Sequence, residues 1–353
     1  MPRKTGTLVV IMLLVAVFTA VGIWRTRGGP TRAPLALTVE PSAVMGTSCR
    51  ISVTVTSPTD RAVRVGLDRT EVILRGIESR MSVWLDDSEV SRLNRAPAGR
   101  RVSLSAETGR LLNAARAASQ ATRGAFDVTV GPLIELWKRS AEAGRLPTEQ
   151  EVAAARALSH WDLIELREDG VVKTAEGARV DLGGIAKGYA IDQAADYLAE
   201  RLPLGGLVDI GGDIRVWGRP PQAERWEVAV RDPFGPGELT RLRPPDGAVC
   251  TSGDYARFLE IEGRHYNHII DPRTGRPAEG VVAVTVFAPR AEIADVWATA
   301  LSVLGPNGVA LLPTEVEAFF VLGTPDGPRY LATPGFVTLL VGPPDGLTVV
   351  GYS

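Results

Sequence analysis

The chain has 353 residues, of which 45% are hydrophobic and 23% are charged. This length and composition are those of a globular protein with a sizeable core, built as one large domain or as two fused halves. The formal net charge of −2 and the sequence pI near 6.1 do not provide the basic surface that binds nucleic acid phosphates. We therefore expect no nucleic acid partner.

An apolar run without a single charge extends from Leu8 to Trp24. As a helix it would span about 25 Å at ~1.5 Å per residue, which can cross a membrane with help from its flanks. A cleaved signal peptide has a shorter apolar region and a clear small-residue cleavage site. We predict an N-terminal membrane anchor over residues 1–27, with a cleaved signal and a buried helix as alternatives. Basic residues flank the run on both sides and leave its orientation open.

The segment after this run is rich in Gly, Pro and Arg, which is typical of an extended tether. We place the tether at residues 28–37 and a single folded domain at residues 38–353. In chain order, the patterns predict a strand at Arg50–Val55, a helix at Arg64–Ser82 and alanine-rich stretches at Ser105–Thr122 and Glu149–Leu158.

Short predicted strands dominate the second half of the chain. They are Leu163–Leu166, Gly206–Ile210, Trp226–Val230, Arg257–Ile261, Val281–Val286 and Ala318–Leu322. Helices and strands alternate without a strict βαβ period, so the predicted class is α+β and not a doubly wound parallel sheet.

The chain has two cysteines, Cys49 and Cys250, too few for a disulfide framework or a cysteine-rich zinc site. Buried free thiols are one interpretation. A single bridge between them is the alternative if the domain lies outside the cytoplasm.

A glycine motif occurs twice, as VDLGG at Val180–Gly184 and VDIGG at Val208–Gly212. Each copy is typical of a buried strand that breaks into a turn, where glycine serves a positive φ. After the first copy, apolar residues at helical spacing predict a helix with Lys187 in its first turn. Free amides at a helix start, together with a lysine, suit a phosphate or pyrophosphate. Lys187 as a solvated surface charge is the alternative.

The segment Ala291–Gly305 predicts a helix stopped by its glycine. Asp295 and Thr299 lie four residues apart in it and therefore share one face. A carboxylate and a hydroxyl are hard oxygen ligands suited to Mg²⁺. An exposed aspartate and a threonine that only packs would explain the same spacing.

His268 precedes a Pro-Arg-Thr-Gly turn in a chain with only 3 histidines. Spacings of three between His265, His268 and Asp271 send successive side chains to opposite faces of a strand, so a shared metal site is disfavoured. His268 is either a general base oriented by Asp271 or a structural histidine. Ser252 lacks the G-x-S-x-G elbow of serine hydrolases.

Eight segments in order resemble one family, the ApbE-type FAD:protein FMN transferases. They are MGTSCRISV, MSVWLDDSEVSRLN, GAFDVTVGPLIELW, VDLGGIAKGYAIDQ, LVDIGGDIRVWG, TSGDYARF, HIIDPRTGRP and ADVWATALSVLG. The resemblance covers nearly the whole domain. It implies a bilobed α+β fold of the T-fold type, with FAD in the cleft between the lobes.

The same resemblance implies Mg²⁺-dependent transfer of FMN from FAD to a Thr or Ser hydroxyl of an acceptor flavoprotein, with release of AMP. It implies that Met45 and Trp84 flank the flavin and that Ile269 lines its pocket. The other implied roles are FAD contacts from Ala125, Phe126, Asp127 and Asp181, a phosphate contact from Lys187, Mg²⁺ ligation by Asp295, Thr299 and the Gly184 carbonyl, and a base at His268.

The chain departs from the family pattern at three points. It has no lipid-modified cysteine after the leader, Trp84 stands where Tyr is common, and Gly184 stands where a residue with a side chain is frequent. The family usually works on the outer face of the bacterial inner membrane, so the resemblance implies an extracytoplasmic catalytic domain. The alternatives for the activity are an FAD pyrophosphatase and a non-catalytic FAD-binding module.

Overall fold

The computed structural model describes residues 33–253 and 258–352. Its helices are α1 Arg61–Met81, α2 Glu89–Arg95, α3 Ala106–Ala121, α4 Gly131–Glu142, α5 Glu149–Ala157, α6 Ala186–Ala199, α7 Ala291–Leu304 and α8 Pro334–Val337. The predicted anchor lies outside these residues. No helix in the described part of the chain is long and apolar enough to span a membrane.

The first strands of the domain are β1 Leu35–Val39, β2 Cys49–Val55, β3 Arg101–Val102, β4 Ile164–Arg167, β5 Gly170–Lys173, β6 Gly205–Ile210, β7 Asp213–Gly218, β8 Val228–Arg231, β9 Glu238–Leu242 and β10 Gly247–Gly253. The remaining strands are β11 Phe258–Ile261, β12 Arg264–Asn267, β13 Ile270–Asp271, β14 Arg276–Pro277, β15 Ala283–Ala288, β16 Glu317–Thr324, β17 Gly327–Ala332, β18 Leu340–Val341 and β19 Thr348–Val349. Strand β1 begins inside the range predicted as tether, because its backbone pairs with β2.

A nine-stranded sheet in the order β1-β2-β6-β7-β10-β15-β16-β17-β19 forms the centre of the domain. Its described pairs are antiparallel apart from β17 with β19. A mainly antiparallel sheet combined with helices confirms the predicted α+β class.

Residue alternation along β16 divides the core into two layers. Ala318, Phe320 and Leu322 join the large apolar cluster that also contains residues of α1, α6 and α7. Phe319 and Val321 point the other way, into a second cluster with β8, β9 and α8. Because side chains alternate across a strand, β16 contributes apolar side chains to the core on both faces of the sheet.

Helix α1 illustrates how the sequence fixes an element. The carboxylate of Asp60 accepts a hydrogen bond from Ala62 N at 2.8 Å and caps the helix. Val63, Leu67, Leu74 and Ile77 are buried at helical spacing. The predicted helix was therefore confirmed, with its start three residues earlier than the sequence pattern indicated.

The glycine repeat has two different structures. In the second copy, β6 and β7 form a hairpin whose turn contains Gly211 at φ 66° and Gly212 at φ 91°, as predicted. In the first copy the predicted strand is wrong: Val180 and Asp181 belong to no sheet. The side chain of Asn94 binds both Val180 N and Val180 O at 2.8 Å, in place of a neighbouring strand.

Other predicted elements were confirmed with small shifts in their bounds. The stretches at Ser105–Thr122 and Glu149–Leu158 contain α3 and α5, and Ala291–Gly305 contains α7 followed by Gly305 at φ 63°. The predicted short strands overlap β4, β6, β8, β11, β15 and β16.

Both cysteines are buried and free. Burial raises the pKa of the Cys49 thiol to about 11 and raises the pKa of the Cys250 thiol well above its usual value. The possible bridge between them is absent from the structure.

Candidate functional site

Helix α6 begins at the glycine turn and lacks a side-chain cap of its own. Ile185 N and Ala186 N donate to Leu182 O at 3.0 and 2.8 Å, which closes the turn that contains Gly183 and Gly184. Residue 185 at the cap position provides no side-chain hydrogen bond. Instead, Asp295 Oδ2 accepts a hydrogen bond from Gly188 N at 2.9 Å. A carboxylate from α7 therefore caps the amino end of α6.

The capping is reciprocal, because Asp192 of α6 caps the amino end of α7. Asp192 Oδ1 accepts from Ala291 N at 2.9 Å and Oδ2 accepts from Glu292 N at 3.0 Å. Asp192 is fully buried and also pairs with Arg215 and Arg290. The two helix starts are thus fixed against each other, and this fixes the residues they carry.

The helices meet so closely that only glycine fits at position 188. A Cβ there would lie 2.3 Å from the carbonyl oxygen of Ala291 and 2.8 Å from the Cα of Glu292. Both obstacles are backbone atoms, so a side-chain rotation cannot relieve the contact.

We therefore expect Gly188→Ala to destabilise the fold by about 3 kcal/mol or more, at the upper end of the cost of overpacking. Urea unfolding followed by circular dichroism measures this change. Gly109→Ala is a matched control, because Gly109 is also helical and no heavy atom lies within 4 Å of its added Cβ. Equal stabilities for the two variants would contradict the close approach of α6 and α7.

Asp295 is a buried carboxylate, 4% exposed, on the face of α7 that meets α6. Burial raises its pKa, while the positive charge of Lys187 and the hydrogen bond from Gly188 N act in the opposite direction. A buried carboxylate that accepts only part of the hydrogen bonding it can is a strong ligand for a cation, since the cation stabilises the ionised form.

Thr299 lies one helical turn after Asp295, beside the glycine turn. Its Oγ1 is 3.0 Å from the position that a Cβ on Gly184 would occupy. The hydroxyl makes no hydrogen bond to any residue in ranges 33–253 and 258–352. Asp295 and Thr299 share the helix face that their spacing predicted, and Thr299 lies against Gly184, the neighbour that the family resemblance implied. All three residues offer oxygen donors that suit Mg²⁺.

A site of this kind has only one acidic ligand. No group of three or more His, Cys, Asp or Glu side chains within the described ranges could hold a metal ion. The oxygen set of Gly184, Asp295 and Thr299 fits a magnesium ion that keeps several waters and binds substrate phosphates.

Lys187 of α6 pairs with Asp213, the first residue of β7. Its Nζ forms an ion pair with Asp213 Oδ2, and Asp213 Oδ1 accepts a hydrogen bond from Thr251 N at 2.9 Å. The lysine side chain is 26% exposed and the aspartate side chain 3% exposed. Lys187 is thus a partly buried, oriented charge and not a freely solvated one.

The loop Ala125–Asp127 lies against the same turn. The Phe126 ring lies beside Gly184, with Cε2 at 3.1 Å from an added Cβ there. Ala125 and Phe126 are buried. Asp127 accepts hydrogen bonds from Thr129 and Ser119, and burial is the main cause of its raised pKa. The carboxylate of Asp127 therefore holds the loop together.

Asp181 joins this loop to the glycine turn. Asp181 N donates to Val128 O at 2.7 Å, and Asp181 Oδ1 accepts from Gly183 N at 2.8 Å. The predicted residues Phe126, Asp127, Asp181 and Gly184 are therefore neighbours in the structure. In the sequence, Asp127 and Asp181 are more than fifty positions apart.

Met45 and Trp84 lie on two other loops. Met45 has a φ of 51° in the tight turn that links Val44 and Thr47, and Thr47 packs against Gly211 of the β6–β7 hairpin. Trp84 is 78% exposed, and Lys138 Nζ lies 4.3 Å from the centre of its ring. An aromatic ring left so exposed is a surface on which a planar ligand can stack.

His268 and Ile269 connect β12 to β13, and both are half-buried. Ile269 N donates to Asn267 Oδ1, and Ala278 N donates to Ile269 O, each at 2.9 Å. The predicted turn is present: Asp271 O accepts from Thr274 N and Gly275 N. Both carboxylate oxygens of Asp271 accept hydrogen bonds from the guanidinium of Arg273. Asp271, the predicted orienting group for His268, is therefore paired with a residue of the turn.

Comparison with known proteins decides the family. The model of the ApbE family matches residues 45–320. The chain belongs to the ApbE family. A relative from Vibrio cholerae, named FAD:protein FMN transferase, is 34% identical over 287 residues, covering 79% of this chain and 85% of the relative. A relative of the same name from Salmonella typhimurium is 30% identical over 339 residues, covering 93% and 96% of the two chains.

Solved ApbE structures share the fold. The flavin transferase ApbE from Vibrio cholerae matches with a TM-score of 0.77 and 31% identity, over 87% of this chain and 100% of that chain. The ApbE protein from Thermotoga maritima matches with a TM-score of 0.78 and 32% identity, over the same shares. These similarities confirm the fold class that the sequence motifs predicted.

Three residues of this ApbE-family site escaped the sequence interpretation: Asp192, Asp213 and Asn94. Asp213 directly follows the second glycine copy, and Asp192 occurs five residues after Lys187, so both lie inside segments that carried the family resemblance. The sequence patterns did not predict which distant residues these three would contact. Spacing along one helix predicts contacts within that helix, but not the crossing of two helices.

Proposed function

We propose that this chain transfers FMN from FAD to a hydroxyl group of an acceptor protein. The observation that carries the proposal is the convergence of Gly184, Asp295 and Thr299 at the amino end of α6, in a chain of the ApbE family. A helix start and an adjacent lysine suit a pyrophosphate, and the oxygen ligands suit the cation that such a group carries. The relatives' name supports the same substrate and product.

The proposed reaction depends on Mg²⁺, uses a Thr or Ser of the acceptor and releases AMP. Asp295, Thr299 and the Gly184 carbonyl would hold the Mg²⁺. When bound, the ion neutralises charge on the phosphates. Lys187, oriented by Asp213, adds a second positive charge beside the same helix start.

The bond changes balance without an additional reactant. The acceptor oxygen forms a bond to the FMN phosphorus, and the bond from that phosphorus to the bridging pyrophosphate oxygen breaks. AMP leaves with that oxygen. His268 would take the proton from the acceptor hydroxyl, which is the role of a general base near neutral pH.

The flavin end of FAD would lie in the cleft bordered by the loops of Met45, Trp84 and Phe126, with Ile269 lining the pocket. The exposed Trp84 ring and the half-buried Met45 offer apolar surface for the isoalloxazine. Asp181 and Asp127 fix the backbone from which the remaining FAD contacts would come.

An FAD pyrophosphatase would use the same residues, with water in place of the acceptor hydroxyl. A non-catalytic module would retain FAD without turnover. The proposed cation ligands, together with a lysine oriented beside a helix start, favour a reaction over storage.

A soluble piece comprising residues 34–353 should attach FMN to a candidate acceptor flavoprotein when FAD and Mg²⁺ are present. Intact-mass spectrometry should show a mass gain of one phosphoester-linked FMN on the acceptor, which also becomes fluorescent on a denaturing gel. The control is the acceptor with its Thr or Ser replaced by Ala or Gly. FAD consumed at equal rates with and without acceptor, and no adduct, would instead establish a pyrophosphatase.

We also propose that residues 1–27 anchor the protein in the bacterial inner membrane, with the catalytic domain on the extracytoplasmic side. The charge-free run Leu8–Trp24 supports the anchor. Full-length protein should stay with the membrane fraction, and protease added to spheroplasts should digest its catalytic domain. Soluble protein with the first 30 or so residues removed would mean a cleaved signal. Membrane-bound protein that resists protease until lysis would reverse the orientation.

A further inference from the structure

Lys173 is a lysine buried in the small sheet of β3, β5 and β4. Lys173 is 2% exposed, and this burial lowers the pKa of its ammonium group. Lys173 forms no ion pair with a carboxylate in the described part of the chain. A lysine in this position needs another electronegative partner, because an unpaired buried charge is costly.

That partner is the carbonyl at the end of α2. Lys173 Nζ donates to Asn94 O at 2.8 Å, and Asn94 lies in the last turn of α2. The carbonyls of a last turn lack partners within the helix and carry the negative end of its dipole. Lys173 therefore caps α2 and fixes the position of the Asn94 backbone.

The Asn94 side chain then fixes the segment that leads to the glycine turn. Its Nδ2 donates to Val180 O and its Oδ1 accepts from Val180 N, both at 2.8 Å. The side-chain amide of Asn94 thus satisfies both backbone polar groups of the buried Val180. Asp181 and Gly184 follow directly, so Asn94 sets the position of the turn that carries the Gly184 carbonyl.

The other end of α2 contacts the segment of Trp84. Ser91 Oγ donates to Val83 O at 3.3 Å, and the Ser88 side chain caps the helix. Helix α2 thus bridges the loop proposed to contact the flavin and the turn proposed to contact Mg²⁺. Its seven residues are held at both ends by hydrogen bonds to these two segments.

We propose that Asn94, held by Lys173, is a positioning residue that keeps the Gly184 turn in register with the Trp84 segment. The inference rests on the proposed function and extends it: Mg²⁺ and FAD affinity both depend on a residue that touches neither. Residues that orient ligands in this way are commonly worth about 10- to 100-fold in metal affinity or activity.

Asn94→Ala removes both bonds to Val180. We expect its affinity for Mg²⁺, measured by calorimetry, and for FAD, measured by flavin fluorescence in EDTA, to fall by about 10-fold or more. Asn113→Ala is the matched control, because Asn113 is an exposed helical asparagine whose amide binds only its own helix at Gly109 O. It should retain both affinities.

Two further variants separate positioning from general stability. Asn94→Asp keeps an acceptor for Val180 N and loses the donor to Val180 O, so its affinities should lie between those of wild type and Asn94→Ala. Lys173→Met removes the cap of α2 and should shift Mg²⁺ and FAD affinity in the same direction by a smaller factor. If Asn94→Ala fails to fold, Asn94→Asp carries the test.

A lower melting temperature in Asn94→Ala with both affinities within about twofold of wild type would overturn the inference and leave Asn94 a purely structural residue. Wild-type protein that binds both ligands but forms no flavin adduct would refute the proposed function, while the affinities still decide the role of Asn94. Wild-type protein that binds neither ligand would overturn both.

Discussion

Asp295→Asn should lower the rate of FMN transfer by at least about 10²-fold, because within the described residues it removes the acidic side chain grouped with Gly184 and Thr299. The fold should persist. Asparagine has nearly the same shape, and its side-chain oxygen can still accept the hydrogen bond that Asp295 Oδ2 receives from Gly188 N at 2.9 Å. The change therefore tests charge at the site and leaves the cap of α6 in place.

The measurement is the single-turnover rate of adduct formation as Mg²⁺ is increased, with melting temperature as the check on folding. Thr299→Val should reduce the rate less, since it removes a neutral ligand. Glu292→Gln is the matched control, because Glu292 is another partly buried acid in the first turn of α7 that caps nothing at α6. An unchanged Mg²⁺ dependence in Asp295→Asn would remove Asp295 from the cation site.

Local patterns predicted the elements of this site better than they predicted its contacts. The four-residue spacing of Asp295 and Thr299 placed both on one face of α7, and the structure turns that face toward α6 and the glycine turn. Which residues share a face follows from the helix period, so it can be predicted from the sequence. What that face packs against depends on how two helices cross.

The contacts that position the site join residues that are far apart in the sequence. Asp192 caps Ala291 across 99 positions, and Asn94 binds Val180 across 86. Neither pair has a spacing that a helix or strand period would reveal. The alternative in which Asp295 is exposed was wrong for the same reason: its burial at 4% comes from α6, which no pattern within α7 describes.

The first glycine copy shows a related limit. Its sequence is almost the same as that of the second copy, yet Val208 lies in β6 and Val180 lies in no sheet. A strand needs a neighbour for its backbone groups. At Val180 the side chain of Asn94 satisfies both groups, so this segment pairs its backbone without a neighbouring strand. The glycines of the two copies also serve different needs. Gly211 and Gly212 adopt positive φ in a turn, whereas at Gly184 the side chains of Thr299 and Phe126 leave little room for a Cβ.

His268→Ala should slow FMN transfer by about 10²- to 10⁴-fold and leave FAD binding nearly unchanged, because a general base acts at the chemical step. His268 is suited to this role by its place between β12 and β13, where the hydrogen bond from Ile269 N to Asn267 Oδ1 and the turn after Asp271 hold the chain on both sides.

Two measurements on each variant separate chemistry from binding: the single-turnover rate with saturating FAD and acceptor, and the dissociation constant for FAD. His265→Ala is the control, because His265 is an exposed histidine of the same hairpin that stacks on Phe258 with ring centres 3.9 Å apart. It should transfer FMN at close to the wild-type rate. A loss of FAD affinity in His268→Ala as large as its loss of rate would make His268 a binding or structural residue, and the proton of the acceptor hydroxyl would then need another base.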